Sequence, residues 1–213
     1  MEILCFDMDN TLIYGTRMHL EAFKLSFKKN KLPQKTRKEM LKYFSLNGKE
    51  YIHKLFPELT KKQVIKVVAD HDHYVFKKTA KLVKPIPGAK ATLKKLKPHY
   101  KIAILSNCKH DIILSSLKHA KFDKKMFDLI IGYDEVKHGK PAPDELFKAE
   151  RLLKIKKGYM VGDSIYDIQA ANKAGLKGIA VLTGHNSRAE MKKQKPHKIL
   201  NSVKDLPKFL SKK

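Results

Sequence analysis

The sequence predicts an α/β protein in which a parallel sheet is covered by helices on both faces and a helical insert follows the first strand. Short continuous apolar runs alternate with helical periodicities in the second half of the chain. Strands buried on both faces have this continuous apolar character, because helices shield both sides of a parallel sheet. Between the first apolar run and this alternating half lies a long stretch with helical periodicity only.

The first strand is predicted over residues 3–6, and two acids, Asp7 and Asp9, follow it at once. Because side chains alternate along an extended chain, the two carboxylates leave the strand on the same side. Like charges this close repel each other unless a cation or a proton lies between them. The pattern therefore indicates a metal, a shared proton or separate chemical roles. A solvated turn that caps a helix, with Asn10 and Thr11, is the alternative.

Residues 16–82 are predicted to form a small helical bundle. Leu20, Phe23 and Phe27 have the spacing of one helix face, and Thr60 is a suitable N-cap for a longer helix further on. The stretch has no convincing strand pattern. At roughly 65 residues it is long enough to pack as a bundle of its own, and we predict a helical cap domain with these bounds.

The α/β core domain is predicted over residues 1–15 and 83–213. It resumes after a turn-rich boundary from Lys84 to Gly88. Gly175 is placed to end one of the helices that alternate with the strands. Further strands are predicted over residues 102–105, 129–131, 159–161 and 179–182, with a short extended piece and a terminal helix within residues 196–213.

Polar residues occur where these predicted strands end. Asp7 follows the first strand, Ser106 follows the second and Asp163 follows the fourth, whereas Lys140 lies in the loop after the third. In open α/β sheets, ligands bind beyond the carboxyl ends of the strands. We therefore expect these four residues to meet at one edge of the sheet, although they are far apart in the sequence.

The chain resembles the haloacid dehalogenase-like superfamily, in its phosphoglycolate phosphatase-like branch with a helical cap. The resemblance covers the core almost completely, but in the insert it covers position and helical character only. It implies a Rossmann-like core. Four motifs carry it, in the order of that superfamily: Asp7-Met8-Asp9-Asn10-Thr11, Ser106 after an apolar strand, Lys140 in His138-Gly139-Lys140-Pro141-Ala142-Pro143, and Gly162-Asp163-Ser164-Ile165-Tyr166-Asp167.

The resemblance implies three catalytic residues. Asp7 would be the nucleophile that attacks phosphorus and forms an aspartyl-phosphate. Asp9 would protonate the leaving alcohol and later activate water. Lys140 would neutralise the negative charges of phosphate and nucleophile, which otherwise repel each other.

The resemblance also implies binding residues and a metal. Thr11 would orient the loop, and Ser106 would donate a hydrogen bond to a phosphoryl oxygen, with Asn107 beside it in the substrate site.

Mg²⁺ is the cofactor that the resemblance implies. It would lie between Asp7, the main-chain carbonyl of Asp9 and Asp163. Asp167 would be an additional ligand or an acid behind the ligands. A few carboxylates, a phosphate and water are the ligands that this ion prefers.

These roles together predict a magnesium-dependent phosphatase that acts on a small phosphomonoester, such as a phosphoglycolate-like compound, a sugar phosphate or a nucleotide. A phosphosugar mutase on the same scaffold is the first alternative, because it would use the same acids. A non-catalytic, basic nucleic-acid-binding module is the second, because the net charge is +25. Dehalogenation is disfavoured, because displacing a halide does not need the acid that Asp9 supplies.

The positive charge is dispersed. Of the 46 basic residues only four are arginine, the residue that readers of bases and phosphates favour. The lysines are spread along the whole chain and form no single stripe. We therefore expect a small phosphorylated substrate as the partner, with nucleic acid disfavoured, and a compositional origin for most of the charge.

The sequence also favours a cytoplasmic location. It has no apolar run near the ~18 residues of a spanning helix, and its first residues do not resemble a signal peptide. The cysteines, Cys5 and Cys108, provide no disulfide framework, which suits a reducing compartment. We expect no membrane partner and a monomer or small homo-oligomer.

Overall fold

The structure, a computed structural model, describes residues 1–211. Six strands form one parallel sheet in the order β5-β4-β1-β6-β7-β8, so that β1 lies between β4 and β6. The predicted fold class is confirmed. The strands of the described chain are β1 (Glu2–Phe6), β2 (Ile13–Tyr14), β3 (Lys84–Pro85), β4 (Tyr100–Ser106), β5 (Leu129–Gly132), β6 (Gly158–Gly162), β7 (Lys177–Val181) and β8 (Lys198–Leu200).

Ten α-helices accompany the strands within residues 1–211. The first four lie between β2 and β3, where the helical insert is predicted, and the others alternate with the strands of the sheet. The helices are α1 (Thr16–Lys29), α2 (Arg37–Leu41), α3 (Gly48–Leu55), α4 (Lys61–Tyr74), α5 (Ala89–Leu96), α6 (His110–His119), α7 (Asp144–Leu153), α8 (Ile165–Ala174), α9 (Arg188–Lys193) and α10 (Leu206–Leu210).

Both faces of the sheet are buried. In β1, Leu4 and Phe6 contribute to one hydrophobic cluster, while Ile3 and Cys5 contribute to another on the opposite face. This alternation follows from the two-residue period of a strand. Strand β1 is therefore covered on both sides, which explains its continuous apolar run, and Cys5 is a core residue.

The two connections between core and insert form structure that the sequence does not reveal. Residues 12–16 are predicted as a connector and residues 84–88 as a turn, but β2 and β3 within them pair antiparallel. The main-chain N–H of Ile86 also donates to the carbonyl of Leu12 at 2.9 Å. Strands of two residues have no measurable periodicity, so only their tertiary pairing defines them.

The insert has a hydrophobic cluster built from its own helices. Leu20, Phe23 and Phe27 on α1 are buried in it, as their spacing predicts. Thr60 caps α4, and its hydroxyl accepts the main-chain N–H of Gln63 in a capping box. A π-helical turn and a 3₁₀ turn lead from α4 back to β3. The division into a cap over residues 16–82 and a core over the rest stays a prediction.

The C-terminal part also follows the prediction. Strand β8 and helix α10 are the short extended piece and the terminal helix, although residues 212 and 213 of the predicted segment lie outside the described residues. Gly175 ends α8 with a positive φ of 74°, a conformation that glycine adopts without strain. Through residue 211, no helix has the length and apolar character needed to cross a membrane.

Candidate active site

The four residues predicted at the strand ends do meet at the carboxyl edge of the sheet. Asp7 directly follows β1, Ser106 is the last residue of β4, and Asp163 directly follows β6. Lys140 reaches the same place from the loop after β5. They line a cavity of about 70 Å³ between the sheet and the insert.

Lys140 is the centre of the charge arrangement. Its Nζ atom donates to Asp7 Oδ1 at 2.8 Å, to Asp167 Oδ1 at 2.7 Å and to the carbonyl of Leu105 at 2.8 Å. Burial of this side chain favours the neutral amine. The charges of Asp167 and Asp7 outweigh that effect and raise the pKa of Lys140 well above its ordinary value. The ammonium form is therefore held in place with all three protons engaged.

Asp7, Asp163 and Asp167 each offer a carboxylate oxygen within 4.8 Å of the others. Burial, together with the neighbouring carboxylates, raises the pKa of Asp7 and of Asp163. Thr11 Oγ1 donates to Asp163 Oδ1 at 3.3 Å. One ammonium group does not balance three carboxylates. An all-oxygen group with excess negative charge suits a hard divalent cation, so the residues present fit the predicted Mg²⁺.

Both oxygens of Asp167 already accept hydrogen bonds. Oδ1 binds Lys140, and Oδ2 accepts the main-chain N–H of Ser164 at 3.0 Å at the start of α8. The carboxylate thus joins the helix N-terminus to the lysine. Asp167 therefore positions Lys140, and this role does not depend on whether Asp167 is also a metal ligand.

Ser106 and Asn107 turn the chain from β4 towards the insert. Ser106 Oγ accepts the N–H of Cys108 at 3.2 Å, which leaves the hydroxyl proton available to a ligand. Asn107 Nδ2 donates to the carbonyls of Lys140 and Ser45, each at 2.8 Å. Ser45 belongs to the insert, so this amide bridges the two walls of the cavity.

Two glycines allow the acids to approach the main chain. A Cβ atom on Gly15 would lie 1.5 Å from Asp9 Oδ1, and one on Gly184 would lie 1.8 Å from Asp163 Oδ2. No side-chain shift short of moving the carboxylates would relieve such overlaps. The two positions therefore require glycine for steric reasons.

Asp9 meets a histidine and a cysteine instead of the lysine. Its Oδ2 atom lies 3.3 Å from His19 Nε2 and 3.2 Å from Cys108 Sγ, and those two atoms are 3.5 Å apart. Burial, together with the charge of Asp9, raises the pKa of Cys108 well above its ordinary value, so the thiol donates its proton. Nitrogen and sulfur donors suit softer metals than magnesium.

His19 connects Asp9 to a second histidine of the insert. His19 Nδ1 lies 3.1 Å from His71 Nε2, and His71 Nδ1 lies 2.9 Å from Asp72 Oδ1. Burial lowers the pKa of His71 to about 4, so this imidazole is neutral near pH 7. It donates to Asp72 and accepts the Nδ1 proton of His19. Asp72 also pairs with Lys109 Nζ at 2.5 Å, which returns the chain of contacts to the core.

The family described as haloacid dehalogenase-like hydrolase matches residues 4–181. The chain belongs to the haloacid dehalogenase-like hydrolases. The resemblance stated from its motifs is confirmed, and so is the prediction of an enzyme of the phosphatase-like, hydrolytic type.

Individual relatives agree with this assignment along nearly the whole chain. The pyrophosphatase PpaX of Bacillus mycoides (strain KBAB4) is 29% identical over 209 residues, which cover 97% of this chain and 95% of that protein. A hydrolase from Pseudomonas syringae has the same fold with a TM-score of 0.87 and 22% identity, over 100% of this chain and 99% of that one. A protein described as a predicted phosphoglycolate phosphatase from Haemophilus somnus 129PT gives a TM-score of 0.85 and 21% identity, over 98% and 97%.

Sequence analysis of this hydrolase missed the insert side of the cavity. His19 has a signal that could have revealed it, because His19, Phe23 and Phe27 are spaced four residues apart on one buried stripe of α1. His71 and Tyr51 have no comparable signal. Both look like ordinary residues of amphipathic helices until α3 and α4 are packed against α1.

Proposed function

We propose that the protein is a magnesium-dependent phosphatase that hydrolyses a small phosphomonoester through an aspartyl-phosphate on Asp7. The observation that carries the proposal is the buried pairing of Lys140 with Asp7 at 2.8 Å, beside Asp163 and two residues from Asp9. The name of the PpaX relatives, a pyrophosphatase, supports phosphate transfer to water.

In the first step a carboxylate oxygen of Asp7 forms a bond to phosphorus while the bond from phosphorus to the alcohol oxygen breaks. Asp9 gives its proton to that leaving oxygen. Lys140 and the hydroxyl of Ser106 stabilise the negative charge on the phosphoryl group as it passes between them.

In the second step Asp9, now a carboxylate, takes a proton from water. The water oxygen bonds to phosphorus, the bond between phosphorus and Asp7 breaks, and inorganic phosphate leaves. The contact of Asp9 with His19 and Cys108 holds its Oδ2 atom on the insert side, away from Lys140. The two acids therefore have different surroundings, which lets one act as nucleophile and the other as acid and base.

The predicted Mg²⁺ would be held by Asp7, the main-chain carbonyl of Asp9 and Asp163, with Asp167 behind them or as a further ligand. Bound there, it would offset the repulsion between the phosphate and the carboxylates.

The remaining expectations belong to the same proposal. The partner is a small phosphorylated molecule, the location is the cytoplasm, and the net charge of +25 is mostly compositional. Nucleic-acid binding should then be weak and steeply lost with salt.

The test is release of inorganic phosphate from an aryl phosphate by the purified protein, with Mg²⁺ and with EDTA. We expect turnover that requires the metal, and loss of at least ~1,000-fold in Asp7→Asn, because an amide cannot act as the nucleophile. Asp111→Asn, an exposed acid on α6, is the matched control and should keep full activity.

Full turnover in EDTA, or more than a few per cent of activity in Asp7→Asn, would refute the proposal. The mutase alternative makes a different prediction. It requires isomerisation of a sugar phosphate without release of inorganic phosphate, so the same assay, with sugar phosphates followed by NMR, separates the two.

A further inference from the structure

The insert side of the cavity differs in chemistry from the phosphate side. Phe23, Phe44 and Val68 line it with apolar surface, and Tyr51 stands among them. The Tyr51 ring lies 4.6 Å from the Phe23 ring in a tilted arrangement, so its position is fixed by packing. The part of the substrate that faces the insert, which is the leaving group of the proposed reaction, therefore meets mainly uncharged groups.

The cations near the cavity are already in use. Among the described residues that line it, the lysines are Lys109 and Lys140, and arginine is absent. Lys140 is bound to two carboxylates, and Lys109 Nζ lies 2.5 Å from Asp72 Oδ2. His71 is held neutral by burial. A second anionic group on the substrate would be desolvated against this wall without a free counter-charge, which is costly.

Within residues 1–211, three residues that line the cavity have a buried side-chain oxygen without a hydrogen-bond or ion-pair partner: Asp9 Oδ1, on the proposed acid, Tyr51 Oη and Asn107 Oδ1. The Tyr51 side chain is almost completely buried, and burial raises its pKa, so the phenol keeps its proton and can donate. The amide oxygen of Asn107 can only accept. Leaving a buried donor or acceptor unpaired costs free energy that a bound ligand would recover. An alcohol hydroxyl can bond to either kind of atom, because it both donates and accepts.

The cavity is also small. Its volume is about 70 Å³, whereas pockets for drug-sized ligands have ~300–1,000 Å³. The size therefore favours an alcohol of a few carbon atoms over a nucleoside as the leaving group.

We propose, resting on the phosphatase function above, that the substrate is the phosphomonoester of a small, uncharged alcohol with at least one further hydroxyl, which Tyr51 binds. Pyrophosphate and phosphoglycolate, the compounds in the names of relatives, both have a second anionic group and are disfavoured for this chain.

The test compares kcat/KM for four compounds: glycerol 1-phosphate, propyl phosphate, phosphoglycolate and pyrophosphate. The first two are nearly equal in size and differ in hydroxyl groups, and the third adds a carboxylate. We expect glycerol 1-phosphate to be hydrolysed at least ~10-fold more efficiently than each of the others.

Two variants identify the groups responsible. Tyr51→Phe should lower kcat/KM for glycerol 1-phosphate by ~10-fold and leave propyl phosphate within ~2-fold, because only the first substrate bonds to the phenol. Tyr43→Phe, on the insert but outside the cavity, is the matched control. Asp72→Asn releases Lys109 and should raise the efficiency with phosphoglycolate relative to glycerol 1-phosphate by ~10-fold.

The proposal is overturned if phosphoglycolate or pyrophosphate is cleaved as efficiently as glycerol 1-phosphate. It is also overturned if Tyr51→Phe, with an unchanged melting temperature, affects glycerol and propyl phosphates equally. Absence of phosphate release from all four compounds, while an aryl phosphate is still hydrolysed, would reject the substrate class only. Absence of release from the aryl phosphate as well would refute the phosphatase function, and the substrate class with it.

Discussion

The two walls of the cavity are built on different physical principles. The core wall consists mainly of charged groups. Asp7 and Asp163 are placed by the ends of strands, and Asp167 is held by its contact with the buried Lys140. The insert wall is made mainly of uncharged groups, the Phe23 ring, the neutral imidazole of His71 and the unpaired phenol of Tyr51, which are placed by the packing of helices. Strand ends are fixed by the main-chain hydrogen bonds of the sheet, whereas helix-borne side chains depend on how the helices lie on one another.

This difference indicates a division of labour. A change in the core wall should affect every substrate by the same factor, because it alters the reaction at phosphorus. A change in the insert wall should affect substrates unequally, because it alters contacts with the leaving group. The ratio of the effects on two substrates thus reports which wall a residue serves.

The largest expected effect comes from Lys140. Lys140→Met should lower kcat/KM by ~1,000-fold or more for aryl phosphate and glycerol 1-phosphate alike. The substitution also leaves Asp7 and Asp167 buried without their cation, so the free energy of unfolding should fall by ~3 kcal/mol. Phosphate release and urea unfolding measure the two quantities.

Lys148→Met is the control for Lys140, because the contacts of Lys148, an ion pair with Glu135 and a hydrogen bond to its carbonyl, are partly exposed and lie outside the cavity. It should change activity and stability little. If Lys140→Met spared one substrate by a factor of ten or more, the division between the walls would be wrong.

Asp9 tests the boundary between the walls, because it belongs to the core but touches His19 of the insert. Asp9→Asn should lower kcat by ~100-fold for an alkyl phosphate, whose leaving oxygen needs a proton. The loss should be smaller for p-nitrophenyl phosphate, which has a better leaving group. Equal losses for both esters would mean that Asp9 does not act as the acid.

The core wall was predictable from sequence because each of its residues is tied to a strand end. Asp7, Ser106 and Asp163 follow apolar runs, and the topology of a parallel sheet brings such ends together. The edge of the sheet that carries the site could therefore be inferred from the sequence, before any contact was known. Lys140, which binds both Asp7 and Asp167, was assigned to the site by its motif. Its hydrogen bond to the carbonyl of Leu105 was not predicted.

The insert wall was not predictable in the same way. The contact between His19 and His71 joins residues 52 positions apart on two helices, and the bond from Asn107 to Ser45 spans 62 positions. Helical periodicity identifies a buried face but not the side chain that will oppose it. The pairing of β2 with β3 was missed for a related reason, because two residues are too few to show a period.

Substitution of His71, on the insert side of the cavity, should have an intermediate effect on activity. His71→Phe removes the acceptor for the Nδ1 proton of His19 and loosens the hold of that imidazole on Asp9. We expect kcat to fall by ~10-fold with little change in KM, because His71 would act on the reaction through His19 and Asp9. Steady-state kinetics with glycerol 1-phosphate give both values.

His73→Phe is the matched control, because His73 is exposed on the same helix. It should behave like the unaltered protein. A change confined to KM in His71→Phe would instead make His71 a substrate contact, and the chain from Asp9 to Asp72 would have no role in positioning.

The smallest expected effect is on stability, and it is predicted for two similar carboxylates, one in the insert and one in the core. Asp70 in the insert accepts hydrogen bonds from Lys29 and Asn30, and Asp128 in the core accepts them from Lys97 and Lys101. Burial opposes ionisation at both sites, but the hydrogen bonds outweigh it and lower both pKa values.

A carboxylate with a lowered pKa in the folded state stabilises the fold above its unfolded pKa of ~3.9. That contribution is lost as the pH falls through the lower, folded pKa. Asp70→Asn and Asp128→Asn should therefore each lower the free energy of unfolding by ~1 kcal/mol at pH 6, and by progressively less below pH ~4.

Hydrogen exchange at pH 6 identifies the region of the molecule that each substitution destabilises. If insert and core open separately, Asp70→Asn should accelerate exchange of amides in α1 and α4 only, and Asp128→Asn should accelerate exchange in β4 and β5. A common acceleration in both regions would show that they unfold as one cooperative unit. The two walls of the cavity would then differ in chemistry but not in stability, and movement of the insert would have to occur without local unfolding.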